Sequence, residues 1–267
     1  MNAYAAFFRL RLLAGLQYRS AALGGVVTQY VWGFMTILMF RAFYQSNADA
    51  FPMAFAQLSS YIWMQQACLT LFATWFLDNE IFASIMNGDL AYELVRPLDL
   101  YWMWFTKNMA LRLSRMVLRS FPILVVAVFL PAPYGLMIPT SPVQLVLFLL
   151  TMILAFLVVI AVCMLIYIAT CYTKSAVATK TISTSIMDFL AGQIIPLTFF
   201  PQAMQKILKL TPFAAMQHVP YNTCNGVLAG QELMQAIVLQ AAWLAVLVLA
   251  GLCWMQRMLR WVSVQGG

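Results

Sequence analysis

The stretch Val143–Cys171, VQLVLFLLTMILAFLVVIAVCMLIYIATC, decides the class of this protein. It holds no charged residue and a single side-chain amide, Gln144, near its start. A helix needs about 20 apolar residues to cross a hydrocarbon core of about 30 Å, and this run exceeds that length. Outward from it lie five more segments near or above the same length: Ala21–Tyr44, Gln57–Leu77, Leu111–Leu130, Thr181–Phe200 and Leu233–Gln256. Composition agrees. Apolar residues make up 64% of the chain and charged residues 9%, against about 45–50% and roughly 25% in soluble domains. So few charges cannot build a water-facing surface, so lipid is the solvent for most of it. The sequence therefore predicts an all-α membrane protein with six transmembrane helices in one domain, residues 1–267.

The net charge of +7 would suggest nucleic acid in a soluble protein. Here the basic residues sit between apolar runs, which is the pattern that orients helices in a membrane, so no nucleic-acid partner is expected. With the N-terminus inside, the inner connections hold Arg9, Arg11, Arg19, Arg96, Lys107, Lys174, Lys180, Arg257 and Arg260. The outer ones hold Lys206 and Lys209, with Arg41 near an outer helix end. Both termini are thus predicted to be cytoplasmic. The five cysteines show no C-x-x-C spacing and read as small hydrophobes.

The connections carry structure of their own. Before the first span, Tyr4, Phe7, Phe8, Leu12 and Leu13 alternate with three arginines; the stretch reads as an amphipathic interfacial helix and not as a cleavable signal. Between spans two and three, Asp78 or Asn79 can cap a helix, Glu80 suits its first turn, and Asn87-Gly88 supplies its stop. Ile81 and Ile85, with Phe82 and Met86, give that helix an apolar face. A second short piece, Leu90–Val95, runs into Arg96-Pro97-Leu98, where proline ends it. Between spans five and six, Gln202–Leu210 and Phe213–Val219 are punctuated by Pro201, Pro212 and Pro220, and read as two short outer re-entrant helices that do not cross.

Several chemistries are missing. No G-x-x-x-x-G-K-[ST] loop is present to cradle a nucleotide, and no H-E-x-x-H or G-x-S-x-G motif appears. His218 is the sole histidine, which removes a multi-histidine metal site. The chain itself is not expected to be an enzyme.

Two sets of residues lie where charge or polarity is costly. Arg112, Arg115 and Arg119 share one face of the third span. Arg112 and Arg115 read as snorkelling to the inner headgroups. Arg119, roughly 12 Å deep at 1.5 Å per residue, is expected to face protein or water. In span five, Thr181, Ser185, Asp188 and Gly192 form one stripe leading to Pro196. The stripe is a candidate substrate path or dimer seam, with ordinary interhelical hydrogen bonding as the alternative. Asp188 and Arg119 lie at similar depth, so they either pair or meet water separately.

The loop Ile81–Leu98, with Ile85, Gly88, Leu90, Leu94, Arg96, Pro97 and Leu98 at the spacing I-x-x-G-x-L-x-x-x-L-x-R-P-L, resembles that of the ABC-2 type of ABC-transporter permease. The six spans, the basic entry and the run Pro196–Pro201 are similar to the same class, in a branch where two permease chains work with a separate ATPase. The resemblance implies that Asp78, Glu80, Ile81, Phe82, Ile85, Gly88, Leu90, Leu94, Arg96 and Pro97 form the loop that docks on the ATPase. It further implies that a second permease chain, identical or homologous, completes a dimer. No cofactor is expected in this chain; ATP and Mg²⁺ belong to the partner ATPase. The cargo is expected to be amphipathic, lipid-like, drug-like or peptide, exported across a bacterial inner membrane. Two other readings stay open: a membrane scaffold or assembly factor, and an ion-driven secondary carrier, although no internal repeat is evident.

Overall fold

The computed structural model describes residues 3–47 and 51–261, and the remaining positions of the predicted 1–267 domain lie outside the described residues. In chain order the helices are α1 (Ala3–Leu16), α2 (Arg19–Ser46), α3 (Phe55–Ala67), α4 (Leu69–Phe72), α5 (Asn79–Asn87), α6 (Leu90–Leu94), α7 (Leu100–Phe129), α8 (Pro142–Thr173), α9 (Ala176–Leu190), α10 (Gln202–Lys209), α11 (Pro212–Met216), α12 (His218–Cys224) and α13 (Gly230–Trp261). No strand occurs among the described residues.

Local chemistry starts and stops the long helices. Ser141 accepts from the Gln144 N–H at 3.1 Å to cap α8, with Pro142 in the first turn, where its missing N–H costs nothing. Lys174 ends α8 in the left-handed region, and Ser175 at once caps α9 by accepting from Ala178 N–H at 3.3 Å. Asp99 caps α7 by accepting from Trp102 N–H at 3.1 Å.

Three helices are long and apolar enough to cross a membrane: Ala22–Ser46 in α2, Pro142–Thr173 in α8 and Gly230–Arg260 in α13. Their outward faces are apolar, with Val27 and Val31 on α2, Val146 and Ile153 on α8, and Val238 and Leu249 on α13 exposed. The bundle closes around α8, whose segment from Ala155 to Ile168 is mostly buried against α13, α12, α7 and α5. Contacts set the directions. Gly251 of α13 lies against Tyr101 at the start of α7, and Trp254 stacks on Tyr172 at the end of α8. Tyr30 of α2 reaches Pro122 of α7, Gln29 of α2 reaches Gln66 of α3, and α9 begins with Lys180 near Asn79 and is followed by Gln193 near Gln65. Hence α2, α7 and α9 run away from the end carrying Asp78, while α3, α8 and α13 run toward it.

The structure departs from the sequence reading in four places. The second segment, expected as one helix over Gln57–Leu77, breaks at Cys68 and leaves helical geometry after Phe72. The fifth helix starts earlier than Thr181 and stops at Leu190, well short of Phe200, with a 3-10 turn at Leu197–Phe199. Beyond it lie three short helices instead of two, because Pro212 and Pro220 each occupy a first helical turn and start α11 and α12 rather than bracket a single helix. Finally, α1 is a separate helix as expected, but its outward side mixes Arg9 with exposed Leu10 and Leu13, so its residues are not split into polar and apolar faces. Packed along α7 on one side and uncovered on the other, it has no wholly polar surroundings that would demand such a split.

Candidate functional site

The α5–α6 hairpin projects from the end where α3, α8 and α13 finish. Asp78 Oδ1 accepts from the Glu80 N–H at 2.8 Å, and Gly88 ends α5 at φ +83°, a conformation glycine adopts without steric cost. Both features agree with the sequence. The expected Ile81/Ile85 docking face needs correction, because Ile81 and Phe82 are buried and Ile85 is only partly exposed. Phe82 meets Tyr167 of α8 edge to face at 5.1 Å, so these residues anchor the hairpin to the bundle. Leu90 is buried as well, and Trp104 Nε1 donates to Glu93 Oε2 at 2.6 Å to hold α6. The apolar surface that stays open comes from Met86, Tyr92, Leu94 and Val95, the last 82% exposed, followed by exposed Arg96 and Pro97.

Beneath the hairpin, charges and hydrogen bonds tie four helices together. Lys107 of α7 is buried, with Nζ 2.9 Å from Glu80 Oε2 and 3.5 Å from Asp78 Oδ2. Arg11 of α1 reaches the same Glu80 oxygen at 2.8 Å. The hydrogen bond from Lys107, followed by the charges of Lys107 and Arg11, holds the Glu80 carboxyl below the usual carboxylate range against the opposing effect of burial. Asp78 N–H also donates to the Tyr167 hydroxyl at 2.7 Å, and Asn108 Nδ2 donates to that same oxygen at 2.8 Å. A displacement of α5 is therefore felt directly by α1, α7 and α8.

Arg112 corrects the snorkelling expectation, because its side chain is fully buried. Its Nη1 donates to the carbonyls of Leu71 and Ala73, each at 2.9 Å. Nη2 donates to Phe76 O at 2.9 Å and Cys163 Sγ at 3.2 Å, and Nε to Asn108 Oδ1 at 2.8 Å. All five guanidinium N–H groups are used, with no carboxylate among the acceptors. Three of the acceptors are backbone carbonyls released where the second segment unwinds, and a cation is favoured at such a helix end. Sequence reasoning missed Lys107, Asn108, Arg112 and Tyr167 as a group. The available signal was the polar Asn108/Arg112 pair one turn apart.

A cavity of about 570 Å³ opens between α1, the start of α2, α7 and the Phe76–Glu80 segment. Its wall includes Arg11, Lys107, Arg115 and Arg119, against the two acids Asp78 and Glu80. The Arg115 guanidinium lies 5.3 Å over the Phe76 ring. Arg119 rests on α2 at Gly25, where a methyl group would come within 2.8 Å of Nε. That Nε is buried and donates to no group among the described residues.

Asp188 and Arg119 do not pair within the chain, since Asp188 Oδ1 accepts from Thr74 Oγ1 at 2.6 Å. On the same helix Thr181 and Ser185 are exposed beside uncovered Ile182 and Ile186. Gly192 falls beyond the end of α9, in a turn at φ +81° whose following carbonyl, Gln193 O, accepts from Gln65 at 2.8 Å. No cluster of three or more His, Cys, Asp or Glu side chains suited to a metal occurs among the described residues.

The amino-acid sequence of this helical bundle matches, over residues 30–265, the family model for ABC-2 family transporter proteins. The chain belongs to the ABC-2 transporter family. No curated protein and no solved structure matches it. As an ABC-2 family protein it is a membrane component of a transport system, which agrees with the three helices, α2, α8 and α13, that are long and apolar enough to cross a bilayer.

Proposed function

We propose that the chain is the permease subunit of an ATP-driven exporter, crossing the membrane six times with both termini in the cytoplasm. The crossings are α2, the α3–α4 segment, α7, α8, α9 with the turn after it, and α13; α10 to α12 lie at the outer side without crossing. Two features support this topology. The six segments alternate in direction, and twelve of the fifteen Lys and Arg residues lie toward the end carrying Asp78, leaving Arg41, Lys206 and Lys209 toward the other.

The observation that carries the reading is the exposed apolar rim Met86, Tyr92, Leu94 and Val95 on a hairpin whose base is clamped to the bundle. A surface of this kind suits a groove on a partner, and the clamp suits transmission of force from that partner. In this proposal a separate ATPase receives the rim, binds ATP and Mg²⁺, and drives α5 against α7 and α8 as its two copies close. The exposed Thr181 and Ser185 on α9 support contact with a second permease chain or with the path of an amphipathic cargo, because lipid is a poor neighbour for them.

The test is co-purification of the ATPase with the chain carrying Leu94→Asp and Val95→Asp. Both residues are exposed, so insertion and thermal stability are expected to stay unchanged. A charge placed in an apolar contact of this kind costs about 2 kcal/mol or more, so ATPase recovery is expected to drop by about thirtyfold. Full recovery of the ATPase, with hydrolysis still stimulated by the permease, would defeat the docking assignment.

A further inference from the structure

We propose that the cavity between α1, α2 and α7 is a binding site for a phosphate-bearing anion, the headgroup of an acidic phospholipid being the occupant that best fits its walls. The proposal depends on the chain's residence in a membrane and not on which ATPase or cargo it serves.

The charges on the wall do not balance. Lys107 and Arg11 are matched by Asp78 and Glu80 at 2.8–3.5 Å. Arg115 and Arg119 are left without a carboxylate partner among the described residues, so the wall carries an excess of two positive charges. The two residues are one turn apart on α7, where side chains are neighbours and like charges repel. Each has a seat that fixes it without neutralising it. Arg115 lies over the Phe76 ring, and Arg119 is packed against the α2 backbone at Gly25, with its Nε buried and unpartnered. An anion between them would remove the repulsion and accept from both forks. Guanidinium groups match phosphate geometry, with two parallel N–H donors per arginine.

The volume and the remaining lining narrow the class further. A cavity of about 570 Å³ falls in the range of about 300–1,000 Å³ typical of small-molecule sites. The rest of its lining includes Ala14, Ala22, Leu111 and Leu118, which offer a hydrocarbon chain an apolar exit toward the bilayer. The cavity floor is Asp78–Glu80, the cap and first turn of α5. An anion here would sit against the base of the hairpin and compete with Glu80 for Arg11, so occupancy would be communicated to α5.

The experiment uses the full chain in nanodiscs of phosphatidylcholine containing phosphatidylglycerol, with retained lipid counted by native mass spectrometry after release into detergent. Wild type is expected to retain phosphatidylglycerol in preference to phosphatidylcholine. Arg115→Gln and Arg119→Gln are each expected to lower that retention by about tenfold, the change expected for losing one charge-assisted hydrogen bond. Arg119→Lys should fall between, because it keeps the charge and loses the fork. Lys206→Gln, toward the other end of the bundle, should change nothing. Delipidated protein titrated with inorganic phosphate forms the second arm. Saturable phosphate binding that Arg119→Gln removes, without any lipid preference, keeps the phosphate site and assigns it to a free anion. Absence of both lipid preference and phosphate binding in wild type overturns the proposal, as does equal retention in wild type and in the Arg115→Gln/Arg119→Gln double variant. If Arg119→Gln is not recovered as a monodisperse protein, the wild-type preference and Arg115→Gln decide.

Discussion

Arg112 and Arg119 stand two turns apart on one face of α7, and their surroundings could hardly differ more. Arg112 is fully buried and donates five hydrogen bonds, whereas Arg119 lies at a cavity wall with a buried Nε that finds no acceptor among the described residues. Depth along the helix does not account for this. The supply of acceptors does. Opposite Arg112 the second segment has unwound, and the carbonyls of Leu71, Ala73 and Phe76 are free to accept. Opposite Arg119 stands α2, an intact helix whose carbonyls are already engaged by their own backbone, and at Gly24 also by Thr28 Oγ1. A charge within an apolar bundle is stabilised where another element has given up its regular hydrogen bonds.

The largest effect that would break this comparison is at Arg112. An ammonium group has three donors and no planar fork, so Arg112→Lys leaves at least two of the five acceptors unpaired. Each costs about 1–3 kcal/mol when buried, and a loss of about 3 kcal/mol in stability is expected. Arg119→Lys forfeits no hydrogen bond and should stay within about 0.5 kcal/mol of wild type. Thermal unfolding of the two variants in detergent measures the difference. Equal losses would mean that the five contacts of Arg112 carry no special weight.

The same contrast shows what the amino-acid order reveals and what it hides. The α5 helix was legible because its determinants are local: the Asp78 cap, Glu80 in the first turn and Gly88 in the left-handed region lie within eleven residues. The long apolar helix α8 was legible for the same reason. The break at Cys68 was not, because Leu69–Leu77 contains neither proline nor glycine and reads as a continuous span. What stabilises the unwound backbone is a guanidinium from about forty positions further along, and no local pattern announces it. The burial of Ile81 and Phe82 was hidden similarly, since periodicity gives an apolar face but not the partner it meets, here Tyr167. For Asp188 the sequence offered pairing with Arg119 or contact with water, and neither pointed to Thr74, the hydrogen-bond partner, which lies in the stretch expected to be helical.

A second, smaller effect sharpens the account of Arg119. Gly24 and Gly25 are neighbours in α2, yet a methyl at Gly24 would meet nothing within 4 Å, whereas one at Gly25 would press on the Arg119 guanidinium. Gly24→Ala should be neutral or stabilising by up to about 1 kcal/mol, because alanine suits a helix interior better than glycine. Gly25→Ala gains the same propensity but must displace the end of a flexible side chain, which leaves it about 1 kcal/mol less stable than Gly24→Ala. In an Arg119→Ala background the two substitutions should become equivalent, and a double-mutant cycle of unfolding temperatures tests this directly. A difference that persists without the guanidinium would mean that Gly25 is needed by some other neighbour.

The smallest effect concerns the matched side of the cavity, where Glu80 joins Arg11 and Lys107. The hydrogen bond from Lys107, then the two positive charges, hold its carboxyl below the ordinary value, so the folded protein favours the ionised form more than the unfolded chain does. Stabilisation from Glu80 is therefore complete at neutral pH and down to the ordinary carboxylate range. It is lost as pH falls further and the native carboxylate takes up its proton. The Glu80 side chain is 66% exposed, so solvent screening limits the effect to about 1 kcal/mol or less. The measurement is the stability difference between wild type and Glu80→Gln as a function of pH. It should be constant from neutral pH to about pH 5 and shrink below that, as protonation erases the charge that glutamine lacks. Added salt should narrow the same difference at neutral pH, because the Arg11 contact is partly exposed. A difference that grows as pH falls would have the wrong sign for a carboxylate held ionised by Lys107 and Arg11, and would remove Glu80 as the link between α1 and the hairpin.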